Sequence, residues 1–338
     1  MSSACDIYAQ QLFRLKHGYP LWDPEPTKHG EVLVGDVGFI NEGAFHRLFN
    51  ATLPQDDPLN RYGVPDGYEP LQLGTDYVRM TRTDDISPGS LCSHTVKCLS
   101  ASAQITVQGS GGGLQFQCTD EQGAVLITKE AIDRDALLPN RWMVKYMRQH
   151  YHSWYVFATE TQGLTLTKEE LIFVRGWAKT ADWSVAAFMH EGQSAQLSFN
   201  GNFGLPASAS FSIAMSDNSS PILQRNSGPR ANRLNHHDAG SSAAGQQDTS
   251  AARSHGSKRD QCVFLHYYKL KVRFGLWPTV MKAAAGPHNL PNASEDDQDD
   301  GAMHIVDTGD IVSIDNYDID EVPAREKPYD PIEIVLDY

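Results

Sequence analysis

Thirteen histidines and five cysteines are the side chains of this 338-residue sequence best suited to metal or nucleophilic chemistry. Their spacing speaks against both. His150 and His152 flank Tyr151 in a stretch with helical periodicity, and residues two apart on a helix face different directions, whereas a helical metal pair needs a separation of three or four. His236 and His237 fall in a low-complexity stretch that cannot preform a site. Cys5, Cys92, Cys98, Cys118 and Cys262 form no CxxC pair and no regular series, so neither a structural zinc site nor a redox dithiol is expected. The glycine run Gly109 to Gly113 resembles a phosphate-cradling loop, but the helix start and Lys-Ser/Thr that such a loop needs are missing. With strand patterns on both sides, it reads as a hairpin turn. No GxSxG, HExxH or EF-hand pattern occurs. Asp307, Asp310, Asp315, Asp318 and Asp320 lack the glycine and terminal glutamate of a calcium loop and read as a solvated charge run. Trp177 and Trp183 bracket Arg175 and Lys179, which makes either a platform for a sugar or cation, or ordinary packing. The expectation is a protein that is not an enzyme and uses no metal or cofactor.

The net charge of −14 is concentrated at one end. Residues 292–338 carry fifteen Asp and Glu against Arg325 and Lys327 alone, so this tail holds −13 and the preceding 291 residues, with 27 acidic and 26 basic side chains, are near neutral. A body without a Lys/Arg surface excludes nucleic acid as a main ligand. An acidic tail suits a protein partner with a basic patch, or a basic patch of its own chain. The first thirty residues contain Asp6, Arg14, Lys16 and His17 and no apolar core of signal-peptide length, which predicts a cytoplasmic protein with reduced thiols. The sequons at Asn50, Asn218 and Asn292 are then chance matches. No apolar run approaches the roughly 20 residues of a membrane-crossing helix, so entry into a bilayer would have to use strands.

The pattern along the chain predicts an α+β fold: an antiparallel-rich twisted sheet with packed helices, two Gly/Ser-rich hairpins, a disordered insertion and an acidic C-terminal tail. One domain is expected over residues 1–291, interrupted by the insertion at about 217–260, with the tail at 292–338 docked in part by adding a strand to a sheet edge. Ala4 to Leu15 has the pattern of a short helix, Glu31 to Ile40 alternates as a strand, and Ala44 to Phe49 suggests a helical turn. Pro139 and Asn140 introduce a docking helix through Met143, Met147, Tyr151 and Trp154, with Gly163 as its stop. Ile172 to Trp177 and Cys262 to Val272 read as strands, and 304–306, 311–314 and 332–336 keep strand character within the tail.

Two segments echo each other. Ser102-Ala103-Gln104-Ile105-Thr106-Val107 recurs as Ser194-Ala195-Gln196-Leu197-Ser198-Phe199, and each opens a Gly-rich hairpin with apolar residues at every second position. The apolar set is Ala103, Ile105, Val107, Leu114 and Phe116 in the first hairpin and Ala195, Leu197, Phe199, Phe211 and Ile213 in the second. Between them stand Gln, Ser, Thr and Asn, which line a wet lumen without stranding a charge. Such strands suit a half-buried sheet or a pair able to pass from a soluble sheet into a bilayer.

The motifs Gly35-Asp36-Val37-Gly38-Phe39-Ile40, Phe173-Val174-Arg175-Gly176-Trp177-Ala178-Lys179-Thr180 and Ala284-Ala285-Gly286-Pro287-His288 resemble those of a large uncharacterised family from mushroom-forming fungi. The order of elements from Cys92 to Val272 (hairpin, helix, strand, second hairpin, returning strand) is similar to the gasdermin pore-forming domain. That resemblance implies pore formation after displacement of an inhibitory C-terminal part, homo-oligomerisation on activation, association with anionic membrane lipid and no cofactor. Arg141, Lys145, Arg148, Lys269, Lys271 and Arg273 are the candidate contacts to lipid headgroups. The alternative is a non-enzymatic binding or scaffolding module that uses the same hairpins as ordinary sheet.

Overall fold

The computed structural model of the chain describes residues 3–74, 77–106, 109–189, 195–201, 212–215, 222–230, 258–272 and 317–324. The architecture is α+β, with three antiparallel sheets and two α-helices among these residues.

The central pair of the largest sheet is β10 (Ile172–Thr180) with β15 (Gln261–Val272), in register Phe173↔Tyr268 and Trp177↔Leu265. Both strands are buried along most of their length, which is the mark of a strand covered on each side. The far flank of β10 is shared. Its first residues pair with β2 (Asp36–Asn41), which pairs with β3 (Ala44–Asn50), and its second half pairs with β9 (Ile132–Leu137), which pairs with β4 (Arg79–Ile86). At Gly176 a Cβ would stand 2.4 Å from that of Ala136, so only glycine admits β9 there. Against β15 lie β1 (Tyr19–Pro20) and β16 (Tyr317–Val322). By backbone proximity the chain divides into residues 1–270 with 319–338, and residues 271–318; the core below belongs to the first.

The helix α1 (Ala4–Phe13) starts at a capping box in which the Ser3 hydroxyl accepts the Asp6 N–H and the Asp6 carboxylate accepts the Ser3 N–H. Such a box satisfies two orphan donors of the first turn. Its buried Ile7, Tyr8 and Leu12 pack with Ala124, Leu126, Trp183 and Val185. Asn140 caps α2 (Arg141–Val156), its side chain accepting the Trp142 N–H at 2.7 Å. A π-helical turn, Phe157–Thr161, extends α2 before Gly163 breaks it at φ +66°. Trp154 meets Phe173 edge-on at 5.4 Å and Phe49 at 5.8 Å, which fixes α2 on the sheet. Burial of each such ring contributes roughly 1.5–3 kcal/mol relative to exposure.

Three sequence expectations are corrected. Ala44 to Phe49 is strand β3, not a helical turn, because Glu42 and Gly43 both take left-handed conformations (φ +50° and +80°) between Asn41 and Ala44, closing a two-residue hairpin. The strand expected from Glu31 begins only at Asp36, since Gly35 (φ +89°) turns the chain and the Asp36 carboxylate holds the Leu33 N–H at 2.7 Å. Part of the expected insertion is ordered strand: β14 (Ile222–Gly228) pairs along the whole of β11 (Trp183–Met189). An edge strand needs only its main chain for that pairing, so its polar sequence conceals it. Residues 216–221 and 231–257 of that insertion lie outside the described residues, as do the tail strands expected at 304–306, 311–314 and 332–336. The tail does contribute a strand to a sheet, by β16.

Candidate functional site

The hairpins that the two echoing segments open are neighbours. The first segment lies on β6 (Val96–Thr106), which pairs with β7 (Gly109–Cys118), the second on β12 (Ala195–Gly201), which pairs with β13 (Ser212–Met215), and β7 pairs with β12 to give one sheet ordered β13-β12-β7-β6. A second four-stranded sheet, β14-β11-β8-β5, is formed with β8 (Gln122–Thr128) and β5 (Gly89–Cys92). Each of its strands adjoins in sequence a hairpin strand: β5 precedes β6, β8 follows β7, β11 precedes β12 and β14 follows β13.

Register explains a shift in the sequence pattern. Apolar residues stand at even positions in Val96 and Cys98 but at odd ones in Ala101, Ala103 and Ile105. The pairs Cys98↔Phe116 and Ser100↔Gln115 leave Leu99 as an extra residue, a β-bulge that restores the phase. The register sets apolar residues opposite one another at Ala101↔Leu114, Phe199↔Leu114, Leu197↔Phe116, Ala195↔Cys118 and Phe199↔Ile213, while Ala103 and Ile105 stand opposite Gly112 and Ser110. Lys97 is the one charged residue in the four strands.

The glycine run is also corrected. Gly109 to Gly113 is not the turn but strand, paired from Thr106↔Gly109 to Ser102↔Gly113. Close pairing up to Thr106 and Gly109 sets every residue from Ser102 to Thr106 opposite a ladder partner, which a wide glycine loop would forfeit. Val107 and Phe211, among the candidate insertion residues, lie outside the described residues. Ala103, Ile105, Leu114, Ala195, Leu197, Phe199 and Ile213 occupy the strand positions given above.

The root of the sheet sits in the core. Val96, Phe116 and Cys118 are buried with Val125, Ile127, Ala186 and Phe188. Phe116 is therefore an anchor in the folded state, whereas Cys98, its register partner on the edge strand, is exposed. Gly123 is the joint: a Cβ there would lie 2.5 Å from Val96 Cγ2 and 2.8 Å from Cys118 Sγ. Sequence reading missed Phe188, since β11 is buried along nearly its whole length and shows no alternation.

Among the candidate headgroup contacts, Arg141, Lys145 and Arg148 are exposed on α2. The Arg141 guanidinium and the Lys145 ammonium lie 4.8 and 5.9 Å from the ring centre of Trp142, which is itself 42% exposed. Lys269 is half-buried and Lys271 exposed on β15, and Arg273 lies outside the described residues. The tryptophan platform does not form. Trp183 is fully buried and donates its indole N–H to Gln261 at 3.1 Å, while Lys179 is 1% exposed, pairs with Glu31 at 2.7 Å and stands 4.1 Å over the Trp177 ring.

The tail reaches this framework at β16. Glu321 pairs with the buried Arg175 at 2.7 Å, and Val322 joins a cluster with Val174, Leu265 and Tyr267. No group of three or more His, Cys, Asp and Glu among the described residues has the geometry of a metal site, and no described helix is long and apolar enough to cross a membrane. All five cysteines are free thiols. No protein-family model matches the chain, and no curated protein matches it.

Proposed function

We propose that this protein permeabilises membranes in the manner of a gasdermin, inserting its two hairpins as strands after the C-terminal tail is displaced. The observation that carries the reading is the single four-stranded sheet in which both hairpins pair side by side, with apolar residues opposed in register from Ala101↔Leu114 to Phe199↔Ile213 and, Lys97 apart, uncharged polar residues alternating with them. A membrane-crossing strand needs about 9–11 residues, and β6 and β7 have 11 and 10. A barrel must leave no edge in lipid, so the edges at β6 and β13, unpaired among the described residues, require further copies of the chain. The exposed cations of α2 beside Trp142 suit an anionic headgroup layer, where an aromatic ring sits between apolar and wet phases.

The test is dye release from vesicles of anionic and of neutral lipid, comparing the intact chain with one ending before Tyr317. Release by the shortened chain on anionic vesicles, lost in its Leu197→Asp variant, is the expected result. Absence of release by a folded shortened chain on both vesicle types would overturn the reading and leave the binding or scaffolding module.

A further inference from the structure

Away from the hairpins, a cavity of about 850 Å³ opens between the segment 25–33, the turn 58–62 and the residues 258–261 at the start of β15. That volume is the size of a small-molecule site. Its walls are set by a buried polar network. Asp36, fully enclosed, accepts from Arg47 Nε at 2.6 Å, and the other two guanidinium nitrogens of Arg47 donate to the carbonyls of His29 and Glu31. The Asn60 side chain donates to the carbonyls of Asn50, Leu53 and Pro54 and fixes the opposite wall. The cavity is thus held open by groups that do not themselves line it.

Its charges are unevenly matched. Arg230 pairs with Asp23 and Glu25, and Lys258 with Glu31 and Asp260. Lys28 and Arg61 have no ion-pair partner among the described residues, yet both lie against one ring, 5.8 and 4.8 Å from the centre of Tyr62. His29 meets the same ring at 4.6 Å. Burial, then Lys28, Arg47, His46 and Arg61, bring its pKa down to about 4, leaving a neutral imidazole in a positive field. Gathering like charges without counter-charge is unfavourable unless an anion completes the set. Pro26, Leu33, Pro58 and Leu59 add apolar surface to the lining.

We infer that this cavity binds an amphiphilic organic anion, its oxyanion head held by Arg61 and Lys28 beside Tyr62 and its apolar body against Leu33, Pro58 and Leu59. Arg61 donates to the Lys28 carbonyl at 3.1 Å and to the Tyr62 hydroxyl at 3.0 Å, so the guanidinium is already oriented. Guanidinium and ammonium together recognise a sulfonate, phosphate or carboxylate alike.

Two dyes with the same apolar body test this in the full-length protein: 1-anilinonaphthalene-8-sulfonate, which carries an anionic head, and N-phenyl-1-naphthylamine, which does not. In the Lys28→Glu, Arg61→Gln double variant the sulfonate dye is expected to bind about tenfold or more weakly, the loss of charge-assisted hydrogen bonds, with the neutral dye little changed. Arg61→Lys with Lys28 intact should recover part of the loss, and Leu59→Trp, which fills the apolar side, should weaken both dyes. Dodecanoate and dodecyl phosphate as competitors then show which head the site prefers. Unchanged sulfonate affinity in a double variant of native thermal midpoint would overturn the inference. So would an equal loss of both dyes in that variant.

Discussion

Asp36 and His266 show what single buried groups contribute here. The Asp36 carboxylate takes the Arg47 guanidinium, the Asn50 amide at 2.8 Å and the Leu33 N–H, all inside the core. Asp36→Ala leaves Arg47, 3% exposed, without its counter-charge, which costs roughly 3–5 kcal/mol for a broken buried pair. Urea denaturation should show a matching fall in midpoint, and an unchanged midpoint would mean that the network relaxes freely. His266 is 5% exposed with Nε2 unpartnered among the described residues. Burial first, then the Arg175 and Arg134 guanidinium groups, depress its pKa to about 3. The unfolded imidazole titrates near 6.5, so between these values the unfolded state binds the extra proton and stability rises with pH. The stabilisation is present above about pH 6.5 and falls away below it, by roughly 2 kcal/mol at pH 5 for this one group. His266→Phe should reduce that slope in denaturation curves recorded from pH 7 to 5, while His17, His29 and His46, depressed in the same direction, keep the remainder. An identical slope in the variant would show that His266 does not carry the effect.

At the scale of elements, the hairpin sheet depends on a joint with no spare volume. In Gly123→Ala the new methyl meets Val96, Cys118 and, at 3.2 Å, Phe188, so something must shift. Overpacking of this kind costs about 1–3 kcal/mol. Hydrogen exchange should quicken at residues 96–98 and 116–118 and stay unchanged along the β10–β15 pair; a uniform change would mean that hairpins and core open as one unit. These hairpins were the most legible part of the sequence, because a sheet with one apolar face writes its period into the chain. Even the bulge at Leu99 is visible there, as the switch from even to odd apolar positions. What stayed hidden has physical causes. β11 lacks alternation because both its faces are covered, β14 joins by its main-chain ladder and a side-chain bond from Asn226 to the Trp22 carbonyl, and β3 depends on the left-handed pair Glu42-Gly43, whose glutamate is an uncommon residue for that conformation. The cations around Tyr62 escape notice because Lys28 and Arg61 are brought together by a network whose members, Asp36, Arg47, Asn50 and Asn60, have no local periodicity. Asn50, read first as a chance sequon, is 1% exposed and serves that network.

For the whole molecule, the question is what the acidic tail holds. Its described strand pairs with β15 and adds an ion pair, Glu321 on Arg175, whose side chain is 8% exposed, and an apolar contact, Val322 among Leu21, Val174 and Leu265. Arg175 also donates to the Leu137 carbonyl at 3.0 Å, so its guanidinium stays in place whether or not the tail is docked. Glu321→Arg in the intact chain would set two guanidinium groups against each other at a nearly dry position, where neither can be screened by solvent. Under the proposed function this variant should release vesicle dye as the chain ending before Tyr317 does, with faster exchange of β15 amides. Replacing both partners, Arg175→Met with Glu321→Met, removes the charges but keeps apolar volume, a change often neutral for a buried pair. That double variant should stay docked and silent. Faster exchange in Glu321→Arg without dye release would make β16 a structural strand and count against a restraining tail. Equal exchange in both variants and the native chain would place the hold elsewhere, in Val322 and the main-chain ladder.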